Sequence, residues 1–234
     1  DPTISLGGIL SSINSNFKVG KKDYFILETC EYCDSFLKFN PHSAIILNID
    51  EDHLDYFKDI NQIYESFFKF AKLVKKDACL VINADIKDYE KVINDLDCTV
   101  ITYGQNKNSM WQAKDITFDE NGYGSYKAYY NDNFMYNIKL SVVGLHNIYN
   151  SLSVCALANF YNLVRESVEK GLNNFNGTNR RFQYKGEFKG VKIIDDYAHH
   201  PTEILATIKS AKSQNINKLW CVFQPHTYTR TKAL

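Results

Sequence analysis

The chain has 234 residues, 44% of them hydrophobic, which is enough apolar material to close one sizeable core or two smaller ones. Lys and Arg total 27, and Asp and Glu also total 27, so no net charge draws the chain toward nucleic acid or an anionic membrane, and neither is expected as a partner. The longest apolar runs have about five residues, against the roughly 20 that cross a bilayer. These values exclude a mini-protein, a disordered tail and a membrane-spanning protein.

Cysteine usage and the chain ends indicate the cellular compartment. The six cysteines are too sparse for a secreted disulfide scaffold. Cys30 and Cys33 have the spacing of zinc ligands, but no second pair accompanies them, so a structural zinc is not expected. The first residues carry neither a basic start nor an apolar leader, which indicates the cytosol. Because the chain lacks an initiator Met and stops just after a predicted strand and turn, we expect a piece of a longer polypeptide.

Short apolar runs alternate with stretches of helical period along the first hundred or so residues. This pattern predicts an α/β fold with a largely parallel sheet. The predicted strands cover 24–28, 44–49, 78–83 and 99–103. Between them, apolar residues recur at spacings of three and four over 60–74, which predicts a helix with one buried face.

The sequence pattern changes over residues 110–143. Turn signals at Asn121-Gly122 and Asn131-Asp132-Asn133 separate aromatic-rich runs that alternate, which predicts an antiparallel β insertion. After Gly144, a weakly charged stretch to about Tyr161 predicts a buried helix. A second helix is expected over 165–174.

The pattern restarts at Tyr184 with a hairpin and a strand over 191–194. A helix is predicted from Pro201 to about Ser213, followed by a strand over 218–223. The restart predicts that a second domain begins here. We therefore divide the chain into a central domain, 1–178, and the beginning of a C-terminal domain, 179–234.

A candidate metal site lies in an acidic segment with one imidazole, residues 50–55, which follows the predicted strand 44–49. Open α/β folds bind ligands at the carboxyl edge of their strands. Glu28 ends the neighbouring predicted strand, so Glu28 and His53 are candidate ligands of one divalent cation, either Mg²⁺ or, given the imidazole, Mn²⁺. Alternatively, the acids cap the helix that begins near Ile60.

A candidate base-binding segment precedes the predicted helix after Gly144. Asn147 and Asn150 are three residues apart and therefore share one face of a helix. An Asn amide can pair with the N6 and N7 edge of adenine, as it does in DNA recognition. The alternative is that these Asn residues cap the helix.

Arginine is rare in this lysine-rich chain, and three of the four arginines are Arg180, Arg181 and Arg230. An Arg between two domains can reach a phosphate when the domains close and stabilise charge in the transition state. Surface ion pairing is the alternative. The segment 195–202 places paired acids and imidazoles between a strand and a helix, and 224–231 forms a second such junction.

Five segments resemble the ATP-dependent Mur ligase family, and together they span nearly the whole chain. They are Asp50-Glu51-Asp52-His53-Leu54-Asp55, Gly144-x-His146-Asn147-x-x-Asn150, Phe175-x-Gly177-x-x-Arg180-Arg181-Phe182, the run from Asp195 to Glu203, and Phe223-Gln224-Pro225-His226-x-Tyr228-Thr229-Arg230-Thr231. The resemblance implies a central ATPase domain, with a mostly parallel sheet, helices and a β insertion, followed by the start of a Rossmann-like C-terminal domain.

The resemblance also implies an activity. Members of the family use ATP to convert a carboxylate into an acyl phosphate, which an amine then attacks to form an amide. The segment 223–231 is most similar to that of the cytoplasmic members that join L-alanine to UDP-N-acetylmuramate in peptidoglycan synthesis. Two alternatives remain open: a ligase that attaches a whole tripeptide to the same sugar nucleotide, and a non-catalytic nucleotide-binding fragment.

Residue roles follow from the resemblance position by position. It implies that Mg²⁺ is held by Glu28 and His53, and that the adenine of ATP is surrounded by His146, Asn147 and Asn150. It also implies that Arg181 and Asp196 contact the nucleotide as the domains close. The resemblance further implies that L-alanine is received by Tyr197, His199, His226 and Arg230. The catalytic group implied in this way comprises His53, Arg181 and Asp196.

The sequence departs from the family pattern in three respects. No Gly-Lys-Thr or Gly-Lys-Ser occurs in the 234 residues, so the family's phosphate loop is missing. The UDP-binding N-terminal domain and most of the C-terminal domain are missing as well. Thr227 stands where many relatives have Arg. We therefore expect the 234 residues alone to have no ligase activity.

Overall fold

A computed structural model of the protein describes residues 1–21 and 23–225. The strands of this part of the chain are β1 (Thr3–Leu10), β2 (Ser15–Lys18), β3 (Phe25–Leu27), β4 (Ala44–Ile46), β5 (Cys79–Asn83), β6 (Thr99–Tyr103), β7 (Trp111–Phe118), β8 (Tyr123–Tyr130), β9 (Asn133–Val143), β10 (Gln183–Phe188) and β11 (Val191–Asp195). The helices are α1 (Ile60–Lys72), α2 (Glu90–Ile93), α3 (Leu145–Phe160), α4 (Arg165–Asn173) and α5 (Pro201–Lys212).

The main sheet has six strands in the order β4-β5-β6-β7-β8-β9. Strands β4 to β7 are parallel, whereas β7, β8 and β9 form an antiparallel meander. Both the parallel α/β sheet and the β insertion are therefore confirmed. The meander extends the parallel sheet directly, because Trp111 at the start of β7 pairs with Tyr103 at the end of β6.

Strand β5 lies at the centre of two hydrophobic clusters, one on each face of the sheet. Leu80 and Ile82 belong to the cluster that packs under α1, whereas Cys79 and Val81 belong to the cluster that packs under α3. All four side chains are fully buried. A strand covered on both faces needs apolar residues at consecutive positions, which explains the unbroken apolar run in the sequence.

Helix α1 confirms the predicted helix and resolves how it begins. Its N-cap is Asp59, whose carboxylate accepts the backbone N–H groups of Asn61 and Gln62. The acids of segment 50–55 are therefore not required for this cap, contrary to the alternative stated above. Helices α3 and α4 also match their predictions. In the described part of the chain, no helix has the length and apolarity needed to cross a membrane.

A separate three-stranded sheet at the start of the chain was not predicted. Its order is β2-β1-β3, with β3 parallel to β1. Strand β1 contains Gly7 and Gly8, a pair that is more typical of a turn than of a strand. The prediction that strands 24–28 and 44–49 are neighbours in one sheet is wrong, because β3 takes β1 as its partner while β4 pairs with β5.

The beginning of the C-terminal region consists of an antiparallel hairpin, β10 and β11, followed by α5. These elements match the prediction. The predicted strand over 218–223 is wrong: within the described residues this segment has no strand partner, and Val222 is 98% exposed. A strand is stable only when a neighbouring strand satisfies its backbone groups, so an apolar run alone does not form one.

Candidate functional site

Asp196 joins the loop before β10 to the loop that leads into α5. One carboxylate oxygen accepts the N–H of Phe182 at 2.7 Å, and the other accepts the N–H of Ala198 at 2.7 Å. The N–H of Tyr197 donates to the carbonyl of Arg180 at 2.8 Å. The two predicted segments 175–182 and 195–203 therefore meet, and Asp196 fixes their relative positions.

The start of α5 is strongly capped. His200 is the N-cap, and its Nδ1 accepts the N–H of Thr202, while Pro201 occupies the first turn. The carboxylate of Glu203 accepts the N–H groups of His199 and His200, which completes a capping box. Burial by itself raises the pKa of Glu203, but these N–H donors and the guanidinium of Arg181 outweigh that effect and hold the pKa below its usual value.

Two guanidinium groups lie beside this capped helix. Arg181 Nη1 is 3.5 Å from Glu203 Oε1, with its side chain 53% exposed, so the ion pair leaves the guanidinium open to an anion from solvent. The guanidinium of Arg180 lies 4.4 Å from the ring centre of Tyr197, in a cation–π contact. His199 packs edge-on against the same ring, with centroids 5.0 Å apart.

The tautomers of the two histidines follow from their hydrogen bonds. His199 Nδ1 lies 2.8 Å from the carbonyl of Tyr197 and therefore carries the proton, which leaves its Nε2 as an acceptor. His200 uses both ring nitrogens, because its Nε2 donates to the carbonyl of Glu51 at 2.9 Å. His200 is 8% exposed and acts as a structural group, whereas the Nε2 of His199 is available to a ligand.

His146, at the start of α3, belongs to the same neighbourhood. Burial lowers the pKa of His146, the charge of Arg181 lowers it further, and Asp196 opposes the shift. The residue as a whole is nevertheless exposed. The pKa of His146 thus responds to the charges of Asp196 and Arg181, the two other residues that were predicted with it for the nucleotide site.

Gly144 allows α3 to approach α5 closely. Its φ of 96° and ψ of 145° lie in a region that only glycine adopts readily. A Cβ on Gly144 would lie 2.3 Å from Ser210 Oγ on α5 and 2.6 Å from the ring of His146. The sequence therefore needs glycine here so that these groups can pack.

The two predicted adenine ligands on α3 are linked to each other. Asn147 Nδ2 donates to the carbonyl of Val143 at 2.8 Å, and its Oδ1 accepts the amide of Asn150 at 3.4 Å. Neither side chain supplies an N-cap hydrogen bond to α3. Asn147 keeps one N–H, and Asn150 keeps its oxygen and one N–H, for another partner.

The acidic segment 50–55 contacts the C-terminal region. The hydroxyl of Thr202 donates to Asp50 Oδ2 at 2.7 Å, next to the bond between His200 and the carbonyl of Glu51. Through these two bonds, the first turn of α5 is attached to the segment that carries His53.

His53 has a left-handed backbone, with φ of 54°, and its N–H donates to Asp52 Oδ1. Its Nε2 lies 3.7 Å from Glu31 Oε1 and 3.9 Å from Asp52 Oδ2. Donor atoms of Cys30, Glu31 and His53 all lie within 4.8 Å of one another. Glu31 was not predicted as a metal ligand, although it lies only three residues after the end of the predicted strand 24–28.

Glu28 lies against Gly7 of β1. Its Oε2 accepts the N–H of Gly7 at 2.8 Å, and a Cβ on Gly7 would be only 3.3 Å from Oε1. The free lone pairs of this carboxylate suit a hard cation such as Mg²⁺, which prefers oxygen. Among the described residues, no ion pair joins Glu28 to His53, so their sharing of one cation stays a prediction. His226 and Arg230 lie outside the described residues.

Comparison with known proteins assigns both parts of the chain. Residues 10–158 match the Mur ligase middle domain, and residues 180–234 match the domain described as Mur ligase, glutamate ligase domain. The chain is 50% identical over 234 residues to UDP-N-acetylmuramate--L-alanine ligase of Clostridium tetani and 52% identical over 235 residues to that of Lachnospira eligens. Each match covers 100% of this chain and 51% of the relative, so the chain spans about half the length of the curated relatives it matches.

A solved structure is similar as well. The crystal structure of UDP-N-acetylmuramate-alanine ligase from Thermotoga maritima superposes with a TM-score of 0.77 at 27% identity. The match covers 90% of this chain and 47% of that one. The likeness therefore extends from the motifs to the arrangement of the sheet and its helices.

Proposed function

The chain belongs to the Mur ligase family, and on that premise we propose that it is the segment of an ATP-dependent ligase that joins L-alanine to the carboxylate of UDP-N-acetylmuramate in the cytoplasm. The observation that carries the proposal is the 50% identity to a named L-alanine ligase along all 234 residues. The contacts around Asp196 support it, because they join the groups that such a reaction requires. The division into 1–178 and 179–234 is part of the proposal.

The nucleotide is proposed to lie across the start of α3. Among the described residues, Asn147 retains one N–H and Asn150 retains its oxygen and one N–H, and an Asn amide can pair with the adenine edge. The neutral imidazole of His146, favoured by its lowered pKa, adds a flat surface without adding positive charge. These three residues form the adenine part of the proposed site.

Arg181 is proposed to contact the transferred phosphate. Its guanidinium is held near the entrance to α5 but remains half exposed, and a guanidinium can bind phosphate oxygens through two parallel hydrogen bonds. Asp196 positions this loop through its two backbone hydrogen bonds, and its remaining lone pairs are available for the predicted nucleotide contact. The ion pair with Glu203 favours a position of the Arg181 guanidinium beside the start of α5.

The amino acid is proposed to lie beside Tyr197 and His199. The Nε2 of His199 is an unused acceptor, which suits the amine of L-alanine. The predicted carboxylate contacts of His226 and Arg230 complete this part of the proposal.

Glu28 and His53 are the proposed holders of Mg²⁺, with Mn²⁺ as the alternative. When bound there, a divalent cation supplies positive charge that offsets the phosphate oxygens. The contribution of the chain is to hold Glu28 against Gly7 and His53 in its left-handed loop.

The reaction has two steps. An oxygen of the sugar-linked carboxylate attacks the γ-phosphorus of ATP, which forms an acyl phosphate and releases ADP. The alanine amine then attacks the acyl carbon and loses a proton, and the tetrahedral intermediate expels phosphate to leave an amide. In the proposed reaction, Arg181 stabilises the charge on the phosphoryl oxygens in the first step, and His199 Nε2 accepts the amine proton in the second.

A chimeric ligase tests the proposal. In it, the matching half of the Clostridium tetani relative is replaced by these 234 residues, so that the relative supplies the rest of the chain. We expect phosphate release from ATP that requires both UDP-N-acetylmuramate and L-alanine. The control is the unmodified relative under the same conditions.

Two outcomes would contradict the proposal. Phosphate release that requires the tripeptide instead of L-alanine would favour the tripeptide ligase. A folded chimera that binds ATP without consuming it would favour the non-catalytic nucleotide-binding protein.

A further inference from the structure

A cluster of three different metal-binding groups lies where the segment after β3 meets segment 50–55. It comprises the thiol of Cys30, the carboxylate of Glu31 and the imidazole of His53, and their donor atoms lie within 4.8 Å of one another. Cys30 is exposed, and the other two are partly buried, so an ion from solvent can reach the cluster.

We propose that Cys30, Glu31 and His53 form a binding site for a transition-metal ion of the Zn²⁺ type, which shares His53 with the proposed Mg²⁺ site and adds the thiol of Cys30 and the carboxylate of Glu31. Thiolate, imidazole and carboxylate are the ligands that Zn²⁺ takes in proteins, and three protein ligands leave a fourth position for water. Mg²⁺ prefers six oxygens and suits this set poorly.

The distances are compatible with tetrahedral coordination. Bonds of about 2.0–2.3 Å to a tetrahedral ion place the ligand atoms about 3.3–3.8 Å apart. His53 Nε2 and Glu31 Oε1 are already 3.7 Å apart. Cys30 Sγ lies within 4.8 Å of both atoms, so a shift of about 1 Å at most brings the exposed thiol to the tetrahedral spacing.

The backbone on both sides of the cluster is held by hydrogen bonds. The carbonyl of Cys30 accepts the N–H of Phe36 and the hydroxyl of Ser35. The carbonyl of His53 accepts the N–H groups of Tyr56 and Phe57. The ligand-bearing positions are therefore fixed before an ion arrives, which reduces the entropy lost on binding.

The charge around the imidazole also favours a cation. Asp52 Oδ2 lies 3.9 Å from His53 Nε2, in addition to Glu31 at 3.7 Å. On binding, the Sγ–H of Cys30 loses its proton to solvent as the sulfur–metal bond forms. Because His53 is also a proposed Mg²⁺ ligand, Zn²⁺ at this site would compete for it, but the site itself does not depend on the ligase activity.

Titration of the 234-residue chain with Co²⁺, a spectroscopic substitute for Zn²⁺, tests the site. We expect one Co²⁺ per chain, a near-ultraviolet thiolate-to-cobalt charge-transfer band, and displacement of Co²⁺ by Zn²⁺ but not by excess Mg²⁺. Cys30→Ser should abolish the band and weaken Zn²⁺ binding more than about 100-fold, the upper range for loss of an outer-shell partner.

Matched variants separate this site from other thiols. Cys33→Ser removes an exposed thiol three residues away that lies outside the cluster, and Cys221→Ser removes another exposed thiol. Both variants should retain the band, whereas His53→Asn, which tolerates the left-handed backbone, should shift and weaken it. A band that survives Cys30→Ser, a band lost equally in Cys33→Ser, or displacement by Mg²⁺ would overturn the proposal.

Discussion

Replacement of Gly144 by alanine should destabilise the fold through two separable effects. The backbone at this position, with φ of 96° and ψ of 145°, is strained for any residue with a Cβ, at about 1–3 kcal/mol. The new Cβ would also lie 2.3 Å from Ser210 Oγ, and forcing such a contact apart typically costs about 1–3 kcal/mol. We therefore expect Gly144→Ala to lower the free energy of unfolding by about 2–6 kcal/mol, which is a large part of the stability of a typical domain.

A double-mutant cycle separates the two effects. Ser210→Ala removes the oxygen that the Cβ would meet, and it should cost little because, among the described residues, that hydroxyl bonds only the carbonyl of Ala206 within α5. Adding Ser210→Ala to Gly144→Ala should recover up to about 1–3 kcal/mol, the steric part that comes from Ser210, and leave the backbone part together with the contact between the new Cβ and the His146 ring.

Urea unfolding followed by circular dichroism measures all four proteins of the cycle. If Gly144→Ala is too unstable to study alone, the Ser210→Ala background restores enough stability for the comparison. A loss below about 0.5 kcal/mol for Gly144→Ala, or an equal loss in both backgrounds, would refute the packing of α3 against α5 described above.

Three further predictions concern the proposed site. In the chimeric ligase, Arg181→Ala should lower kcat about 100-fold or more if the guanidinium stabilises charge only in the transition state. A raised KM for ATP at unchanged kcat would instead show that Arg181 contributes to ground-state binding. Glu28→Gln, which preserves the size of the side chain, should raise the Mg²⁺ concentration for half-maximal activity by about tenfold or more, and an unchanged requirement would remove Glu28 from the metal site. Burial lowers the pKa of the His146 imidazole in the folded chain. As the pH falls, the unfolded chain therefore protonates this imidazole at a higher pH than the folded chain does. The free energy of unfolding, measured with urea, should therefore decrease more for the parent chain than for His146→Gln as the pH falls through about 6.5. Equal decreases would contradict the lowered pKa of His146.

The helices and most strands could be predicted because their patterns are local. The spacing of apolar residues in α1 and the turn signals of the meander are visible in a short window of sequence. Strand β1 could not be predicted in the same way, since Gly7 and Gly8 give no local strand signal and the contact of Gly7 with Glu28 joins residues 21 positions apart. The strand predicted over 218–223 is wrong for the converse reason, because its local pattern has no partner among the described residues.

The candidate site could also be predicted only in part, because its motifs are local whereas its side-chain contacts depend on tertiary packing. The motifs around Arg181, Asp196 and His199 indicated a shared location, and the structure joins them through backbone hydrogen bonds. Sequence spacing did not indicate that Glu203 would hold Arg181, or that Glu31 and not Glu28 would lie next to His53. Which carboxylate faces a given cation depends on side-chain directions that tertiary packing sets.

The attachment of α5 to segment 50–55 connects the residues proposed to bind the amino acid to those proposed to bind the metal. Moving α5 away would break the hydrogen bonds from Thr202 to Asp50 and from His200 to Glu51, which are worth at most about 0.5–1.5 kcal/mol each. Together they favour the docked arrangement by up to about 150-fold. A movement of α5 would therefore displace the loop that carries His53. Faster amide hydrogen exchange in that loop after Thr202→Val would reveal the coupling. Unchanged exchange would show that α5 and the loop move independently.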